Sequence, residues 1–350
     1  MQRDPRPART ASVRAITYYL PEQQLDNQRL ASELGDWTAE KILEKTGIAC
    51  RSIAAPDECS SDLGVAAAEA LFESGVCARE EIDFLLFCTQ SPDYFLPATA
   101  CIVQDRLGLR TDCGALDFNQ GCSGFVYGLA LAKSLVEGLG LRNVLLITAE
   151  TYSKFIHPRD RSVRTIFGDA AAATLIQASS AAEEMIGPFV FGTDGRGAAN
   201  LIVPAGGMRK PMSEETSVVS IDEGGNERSE NHLFMNGPEI FSFTLKAVPA
   251  AVNGLLARAE IAPGDVDYFI LHQANRFMLE KLRAKMKIDP ERFCVELESC
   301  GNTVSSTIPI ALARSLADGR LKSGDLVMGV GFGVGYSWAA GMIRVPQEGI

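Results

Sequence analysis

Short apolar runs alternate with longer stretches that carry apolar residues at helical spacing. The predicted strands are Phe84–Cys88, Val144–Thr148, Ala171–Ile176, Phe269–His272 and Leu326–Val330. The predicted helices are Ser61–Ser74, Gly124–Glu137, Pro238–Ala259, Asn275–Met286 and Thr307–Asp318. Strands that are apolar at nearly every position predict a sheet covered on both faces. The alternation of strands and helices therefore predicts βαβ units and an α/β fold.

Two pairs of segments repeat at nearly the same offset along the chain. Residues 80–88 (EEIDFLLFC) are similar to residues 264–272 (GDVDYFILH). Residues 129–138 (LALAKSLVEG) are similar to residues 310–319 (IALARSLADG), with identity at six of ten positions. Each pair alone is weak, because helices rich in Ala and Leu resemble one another by chance. Two pairs in the same order predict a duplicated α/β half.

The duplication divides the chain into an N-terminal half over residues 13–182 and a C-terminal half over residues 183–350. A basic, proline-containing stretch over residues 1–12 is predicted to be a flexible tail. Residues 203–231 are rich in Gly, Pro and charged residues. We expect them to form a loop excursion within the second half.

Charge and cysteine content exclude several classes of function. The 350 residues carry a net charge of −11, which argues against nucleic acid as a partner. The nine cysteines include no CxxC spacing, so neither a disulfide framework nor a zinc ribbon is predicted and a cytoplasmic location is expected. The N-terminus lacks the apolar core of a secretory signal. No apolar run reaches the roughly 20 residues of a membrane span, so no membrane insertion is predicted.

One cysteine lies in a setting that favours reactivity. Cys122, in the segment NQGCSGF (119–125), follows a short predicted strand and precedes a predicted helix. The free N–H groups and dipole of a helix N-terminus favour the thiolate, so we expect a lowered thiol pKa. Gly121 and Gly124 allow a tight turn and close approach by a substrate. A buried, inert Cys122 is the alternative, since most buried cysteines are structural.

A histidine and an asparagine are further candidates. His272 ends a predicted strand, where open α/β sheets place their sites, whereas His157 and His232 lie in polar loops. Asn302, in SCGNTVSST (299–307), lies 181 positions after the residue that precedes Cys122. On position alone, a core histidine and a turn asparagine are equally good or better interpretations. If the halves pack about a pseudo-twofold axis, the three side chains converge on one cleft.

The glycine-rich segment GVGFGVGYSW (329–338) follows a predicted strand. Its spacing does not match G-x-G-x-x-G, and a strand rather than a helix follows it, so a dinucleotide site is not predicted. A phosphate-binding P-loop sequence is also absent from the chain. A glycine-rich turn can instead direct backbone N–H groups at a developing oxyanion.

Together these segments resemble the thiolase superfamily, and within it the 3-oxoacyl-(acyl-carrier-protein) synthase III family. The central matches are GCSGF (121–125), HQAN (272–275), GNTVSS (301–306) and GFGVGYSW (331–338). Further matches are TGIACRSIA (46–54), DRSVRTIFGDAAAA (160–173) and FMNGPEIF (234–241). The resemblance extends in order from about residue 13 to residue 345.

The resemblance implies a thiolase-like α/β fold of two pseudo-duplicated βαβαβ halves in a five-layered α/β/α/β/α arrangement, usually as a homodimer. It also implies a decarboxylative condensation in which Cys122 takes an acyl group from acyl-CoA. His272 and Asn302 then bind the thioester carbonyl of malonyl-(acyl-carrier protein) and stabilise the enolate that attacks the acyl group. The backbone N–H groups of Cys122 and Val334 hold the other oxyanion. Acyl-CoA and malonyl-carrier protein are substrates, and no cofactor is implied.

Departures from the family pattern concern the substrate. Arg161 matches a CoA-contacting arginine, whereas Lys41 and Lys45 replace a Trp and an Arg at the pantetheine tunnel mouth. Phe277 stands where a second Arg is expected, with Arg276 adjacent. The four basic residues predict a local patch for CoA or carrier protein. Scattered solubilising charge is the alternative.

Three further residues belong to the expected substrate pocket. Leu96 replaces a Phe that, in the family, crosses the dimer to floor the partner's acyl pocket. Phe332 is expected to influence the pocket volume, and Gly237 to contact substrate.

Three alternative functions stay open at this point. A synthase III-like protein can transfer its acyl group to a hydroxyl or amine without decarboxylation. Cys, His and Asn also combine in papain-like thiol hydrolases, although their sequence pattern around the cysteine is absent here. A scaffold subunit that pairs with an active paralogue is the non-enzymatic alternative.

Overall fold

The structure is a computed structural model that describes residues 10–35, 37–181, 183 and 185–346. The strands are β1 (Thr10–Tyr19), β2 (Gln23–Asp26), β3 (Cys50–Ile53), β4 (Phe84–Cys88), β5 (Gly114–Phe118), β6 (Asn143–Glu150), β7 (Ala170–Ser179), β8 (Ile186–Thr193), β9 (Leu201–Ile202), β10 (Ser220–Ile221), β11 (Glu227–Arg228), β12 (Phe234–Met235), β13 (Tyr268–Leu271), β14 (Leu326–Gly333) and β15 (Ser337–Arg344). The α-helices are α1 (Asn27–Leu34), α2 (Ala39–Thr46), α3 (Ser60–Glu73), α4 (Thr99–Arg106), α5 (Gly124–Leu139), α6 (Arg161–Arg164), α7 (Gly237–Ala259), α8 (Arg276–Met286) and α9 (Thr307–Ala317). Each predicted strand and helix is present, with small shifts at its ends.

Two sheets share one topology. The first has the order β1-β7-β6-β4-β5 and the second the order β13-β14-β15-β8. The pairs β4–β6 and β13–β14 are parallel. In the first sheet β6–β7 and β7–β1 are antiparallel, and in the second sheet β14–β15 and β15–β8 are antiparallel. The place of β5 is taken in the second sheet by a single parallel bridge between Phe269 and Phe293. The duplicated α/β fold predicted from the sequence is therefore confirmed.

The helices complete five layers. The central layer is α5 and α9, which contact strands of both sheets. Helices α3 and α4 cover the other face of the first sheet, and α7 covers that of the second with α8 packed on it. Helix α5 is apolar around most of its circumference, as expected for a helix between two sheets. This sandwich brings the N-terminus of α5 against the ends of strands from the second half.

The predicted N-terminal tail is wrong over residues 10–12, because β1 begins at Thr10. Ala11 and Val13 are buried and the strand pairs with β7. Ser12 between them is buried as well, so the start of this strand is covered on both faces, and the charged residues before it obscured the strand in the sequence. Residues 1–9 lie outside the described residues, as does the predicted boundary between the halves at residue 182.

The predicted excursion over residues 203–231 is mainly irregular and includes the short hairpin of β10 and β11. One arginine anchors it to the site-bearing part of the fold. Arg228 donates to the buried carboxylate of Asp160 at 2.7 Å and also pairs with Asp222. Asp160 in turn caps α6 by accepting from the backbone N–H of Ser162. The excursion is therefore attached to the helix that begins with Arg161.

Helix α7, with 23 residues, is long and apolar enough to cross a membrane by length and composition alone. It packs against β8, β14 and β15 and against α8. Its apolar surface therefore contributes to the protein core between the second sheet and α8.

Candidate active site

Cys122 lies in the turn that joins β5 to α5, as the sequence predicts. Its side chain is buried, with 5% of the residue exposed. Burial raises the pKa of the thiol to about 12, and the nearby carboxyl group of Glu150 adds to the rise. Backbone N–H groups of Val334 and Cys122 act in the opposite direction. The expected low thiol pKa is therefore wrong, because loss of water outweighs the helix N-terminus.

The glycine-rich end of β14 passes directly over this turn. A Cβ at Gly333 would lie 2.8 Å from Cys122 Sγ, and one at Gly331 would lie 2.7 Å from the Cys122 carbonyl oxygen. Only glycine permits this approach of one half to the other. The approach brings the Val334 N–H into hydrogen-bond range of the Cys122 sulfur. Two backbone donors at a sulfur are the arrangement expected for the oxyanion formed when that sulfur carries an acyl group.

His272 follows the last residue of β13 and is buried. Its backbone N–H donates to the Val330 carbonyl oxygen at 2.8 Å, which fixes it beside β14. Its Nδ1 lies 2.7 Å from Thr307 Oγ1, and its ring meets Phe332 edge to face at 5.5 Å. Burial lowers the pKa of the imidazole to about 3. His272 is therefore neutral near pH 7.

Asn302 is held by the N-terminal half, although it belongs to the C-terminal half. Its backbone N–H donates to Ile166 O at 2.9 Å, and its carbonyl oxygen accepts from Gly168 N at 3.0 Å. Its side-chain Oδ1 accepts from the Val304 N–H at 2.9 Å. This contact orients the carboxamide, leaving the Nδ2 amide to face the neighbouring cavity.

Cys122, His272 and Asn302 line one cavity of about 360 Å³. The rest of the wall is mostly apolar, and Phe332, Gly237 and Phe277 belong to it. Phe277 is about half exposed and stacks on Phe241, so the cavity meets solvent near the start of α8. A mostly apolar cavity with a few convergent polar groups is typical of small-molecule sites. The convergence predicted from the sequence is thus present in the fold.

The predicted basic residues do not line this cavity. Lys41 and Lys45 are exposed on α2, and both ammonium groups lie over the ring of Trp37, at 5.0 and 5.4 Å. Arg276 pairs with Glu298 at 2.8 Å on the surface. Its side chain packs at Gly47, where α2 ends, so α2 lies beside the helix that carries Phe277.

Two other predicted residues also lie outside the cavity lining. Arg161 donates to the Gly224 carbonyl oxygen in the excursion. Leu96 is 82% exposed in the loop before α4, next to the exposed Tyr94 and Phe95. The single chain therefore does not place Leu96 near its own cavity.

Three residues that the sequence interpretation missed contribute to the site. Thr307 contacts the imidazole of His272, and Trp37 supports the two lysines. Glu150 is fully buried at the end of β6, where it accepts from Gln90 N at 3.0 Å and from Ser305 Oγ at 2.9 Å. Burial raises the pKa of Glu150 to about 8. Of these three residues, only Glu150 could have been noticed in the sequence, because it is a carboxyl group at the end of an otherwise apolar strand. The contacts of the other two depend on the folded structure.

A buried thiol at a helix N-terminus that shares a cavity with His and Asn from a duplicated second half is the arrangement expected of the thiolase superfamily. Two family models match the chain: "3-Oxoacyl-[acyl-carrier-protein (ACP)] synthase III" over residues 116–195 and its C-terminal counterpart over residues 256–345. The chain belongs to the 3-oxoacyl-(acyl-carrier-protein) synthase III family.

Individual relatives agree with this assignment. The chain is 38% identical over 334 residues to the β-ketoacyl-(acyl-carrier-protein) synthase III of Caldanaerobacter subterraneus subsp. tengcongensis, covering 95% of this chain and 97% of that protein. A crystal structure of a 3-oxoacyl-(acyl-carrier-protein) synthase III superposes with a TM-score of 0.95 and 54% identity, covering 96% and 99% of the two chains. The priming β-ketosynthase of the R1128 polyketide pathway gives a TM-score of 0.85 and 29% identity, covering 99% of each chain.

Proposed function

We propose that this protein is a decarboxylating condensing enzyme of the synthase III type, formally an acyltransferase. It joins an acyl group, taken from acyl-CoA and held on Cys122, to malonyl-(acyl-carrier protein) and releases a 3-oxoacyl-carrier protein. The observation that carries the proposal is the single cavity lined by Cys122, His272 and Asn302. Membership of a condensing-enzyme family argues against a scaffold role. The two duplicated sheets argue against a papain-like hydrolase.

The first half-reaction is transfer of the acyl group to sulfur. The Cys122 thiolate attacks the thioester carbonyl, and the CoA thiolate leaves. The negative charge of the tetrahedral intermediate develops on the former carbonyl oxygen. Backbone N–H groups of Cys122 and Val334 stabilise that charge, and each such donor is typically worth about 2.7–4 kcal/mol.

The second half-reaction is decarboxylation followed by carbon–carbon bond formation. Loss of CO₂ from the malonyl group leaves an enolate whose charge builds on the thioester oxygen. Asn302 donates from Nδ2 at this position, and His272 lies in the same cavity. An acceptor-only carboxylate would stabilise an enolate poorly, which accounts for an amide and an imidazole there. The enolate carbon then attacks the acyl-Cys122 carbonyl and releases the Cys122 thiolate.

The test is a complete turnover assay. Purified protein receives an acyl-CoA series and malonyl-carrier protein, and mass spectrometry detects the 3-oxoacyl-carrier protein. We expect product with at least one acyl-CoA and none with Cys122→Ala. Release of CoA with a hydroxyl or amine acceptor, but without CO₂ from malonyl-carrier protein, would instead support the non-elongating acyltransferase alternative. Lys41 and Lys45 lie on the surface, outside the cavity lining, and this position is compatible with the acyltransferase alternative.

Recognition of CoA and carrier protein is assigned to the rim near α2, α6 and α8. Helix α2 carries Lys41 and Lys45, α6 begins with Arg161, and α8 begins with Arg276. Charge reversal of Lys41 and Lys45 together is expected to raise the KM for acyl-CoA, with little effect on reaction with a short thioester that lacks the nucleotide. Equal loss with both substrates would contradict this assignment.

A cytoplasmic location is expected from the cysteine content.

A homodimer is the proposed assembly. Strand β5 is at the edge of the first sheet, where its outer N–H and C=O groups can pair with another strand. Leu116 on this strand and the loop that carries Tyr94, Phe95 and Leu96 expose apolar side chains. A partner copy would cover this surface. Light scattering after size exclusion should give twice the chain mass of 37.6 kDa, and a monomer would contradict the proposal.

A further inference from the structure

Thr307 is the side-chain hydrogen-bond partner of His272, beside the Val304 carbonyl oxygen that also accepts from the imidazole, and nothing assigned so far gives it a role. It is buried at the start of α9, with Oγ1 2.7 Å from His272 Nδ1 and 3.1 Å from the Val304 carbonyl oxygen. A hydroxyl group has one hydrogen to donate and lone pairs that accept. The carbonyl oxygen accepts only, so that contact is favourable only if Thr307 donates to Val304.

This arrangement determines the proton on the imidazole. With its hydrogen directed at Val304 O, Thr307 Oγ1 presents a lone pair to His272, so Nδ1 must carry the hydrogen. The opposite arrangement, with Thr307 donating to Nδ1, would bring lone pairs on Thr307 Oγ1 and Val304 O together at 3.1 Å. A neutral imidazole has one N–H, so Nε2 is then unprotonated. Thr307 is not part of the cavity lining, which leaves Nε2 as the ring nitrogen that faces the cavity.

An unprotonated Nε2 accepts a hydrogen bond and cannot donate one. Of the described side chains that line the cavity, Cys122 is the one with an acidic proton. Nε2 of neutral His272 is therefore a base that faces the Cys122 thiol. The same nitrogen can donate a hydrogen bond to the enolate only after it has taken a proton.

We propose that Thr307 is a positioning residue that fixes His272 as the Nδ1–H tautomer, so that Nε2 takes the thiol proton of Cys122 and keeps it through condensation. The inference rests on the proposed function, which it deepens. The S–H bond of Cys122 breaks and an N–H bond forms at Nε2, as the sulfur attacks the acyl-CoA. The CoA thiolate takes its proton from solvent. The imidazolium then donates from Nε2 to the enolate oxygen and returns its proton to the Cys122 thiolate when the 3-oxoacyl product leaves.

The direct test is the tautomer itself, read by two-bond ¹H–¹⁵N correlation spectra of the full chain labelled with ¹⁵N-histidine. The chain has three histidines, so the spectrum is simple, and His157→Gln and His232→Gln variants assign the signals. We expect a protonated Nδ1 and an unprotonated Nε2 on His272 in the wild type and in Thr307→Ser. Thr307→Val removes the hydroxyl at similar volume but leaves the Val304 carbonyl oxygen as an acceptor, so it should raise the fraction of His272 in the Nε2–H form without abolishing the Nδ1–H form. A wild-type His272 in the Nε2–H form would overturn the proposal, even if the valine variant did not fold.

A second readout is the rate at which iodoacetamide alkylates Cys122, followed by peptide mass spectrometry that separates it from the exposed Cys101. Loss of one hydrogen bond at the base predicts an approximately tenfold slower reaction in Thr307→Val, with Thr307→Ser near the wild type. The matched control is Thr244→Val in α7. Its buried hydroxyl has no hydrogen-bond partner among the described residues, so both readouts should stay unchanged.

Neither readout needs a substrate, which separates this inference from the proposed function. Failure of every acyl-CoA to react would refute the function and leave the tautomer result standing. An active enzyme in which Thr307→Val alters neither the tautomer nor the alkylation rate would refute the role of Thr307 alone.

Discussion

Gly333→Ala tests whether the close approach of β14 to Cys122 is required for acyl transfer. An added Cβ would lie 2.8 Å from Cys122 Sγ and 2.9 Å from Cys122 Cβ, well inside ordinary van der Waals contact. The strand end and the sulfur must therefore separate by a large fraction of an ångström. The Val334 N–H follows Gly333 in the chain and moves away from the oxyanion position with it.

The magnitude follows from that displacement. A misplacement of about 1 Å at reacting groups costs roughly 100-fold in rate, similar to the loss of one oxyanion donor. We expect Cys122 acylation by acyl-CoA in single turnover to slow by about 100-fold. Overpacking should also lower the free energy of unfolding by about 1–3 kcal/mol.

Gly254→Ala is the matched control. Gly254 is on the exposed side of α7, and no described atom lies within 4 Å of an added Cβ. It should leave acylation unchanged and, if anything, stabilise the helix by up to about 1 kcal/mol. Acylation of Gly333→Ala at the wild-type rate would show that the approach of β14 does not form the oxyanion site.

Three further predictions concern charge and hydrogen bonding. Asn302→Ala should lower CO₂ release from malonyl-carrier protein by about 100- to 1,000-fold while Cys122 still accepts its acyl group, and equal loss of both steps would contradict its assigned role. His272→Ala removes the imidazole that takes the thiol proton, so alkylation of Cys122 then depends on free thiolate; with a thiol pKa of about 12 its rate should still be increasing between pH 9 and 10, whereas a plateau near pH 9 would contradict that pKa. Arg228→Ala leaves the buried Asp160 without its cation and should lower the free energy of unfolding by about 3 kcal/mol in chemical denaturation, whereas Arg196→Ala, at an exposed pair, should leave it nearly unchanged.

The fold could be predicted because its information is local. Apolar runs and amphipathic stretches identify the strands and helices, and the repeated segments identify the duplication. Cys122, His272 and Asn302 could be selected as candidates for the same reason, since each lies at a strand end or turn with a distinctive neighbouring sequence. The pseudo-twofold relation then placed them together.

The features that were missed depend on contacts between distant segments. Thr307 is buried against an imidazole 35 positions away, and Asn302 is positioned by residues 166–168. The thiol pKa was mispredicted because the helix N-terminus is visible in sequence but the burial of Cys122 by β14 is not. Lys41 was expected at the tunnel mouth, and its position on Trp37 depends on how α2 folds.

The most direct test of the central claim is the intact mass of the protein after incubation with a series of acyl-CoAs, followed by addition of malonyl-carrier protein. We expect a mass increase equal to one acyl group, located at Cys122 by peptide mapping and discharged when malonyl-carrier protein is added. A chain that stays unmodified with every acyl-CoA, or that is modified elsewhere, would contradict a condensing reaction through Cys122.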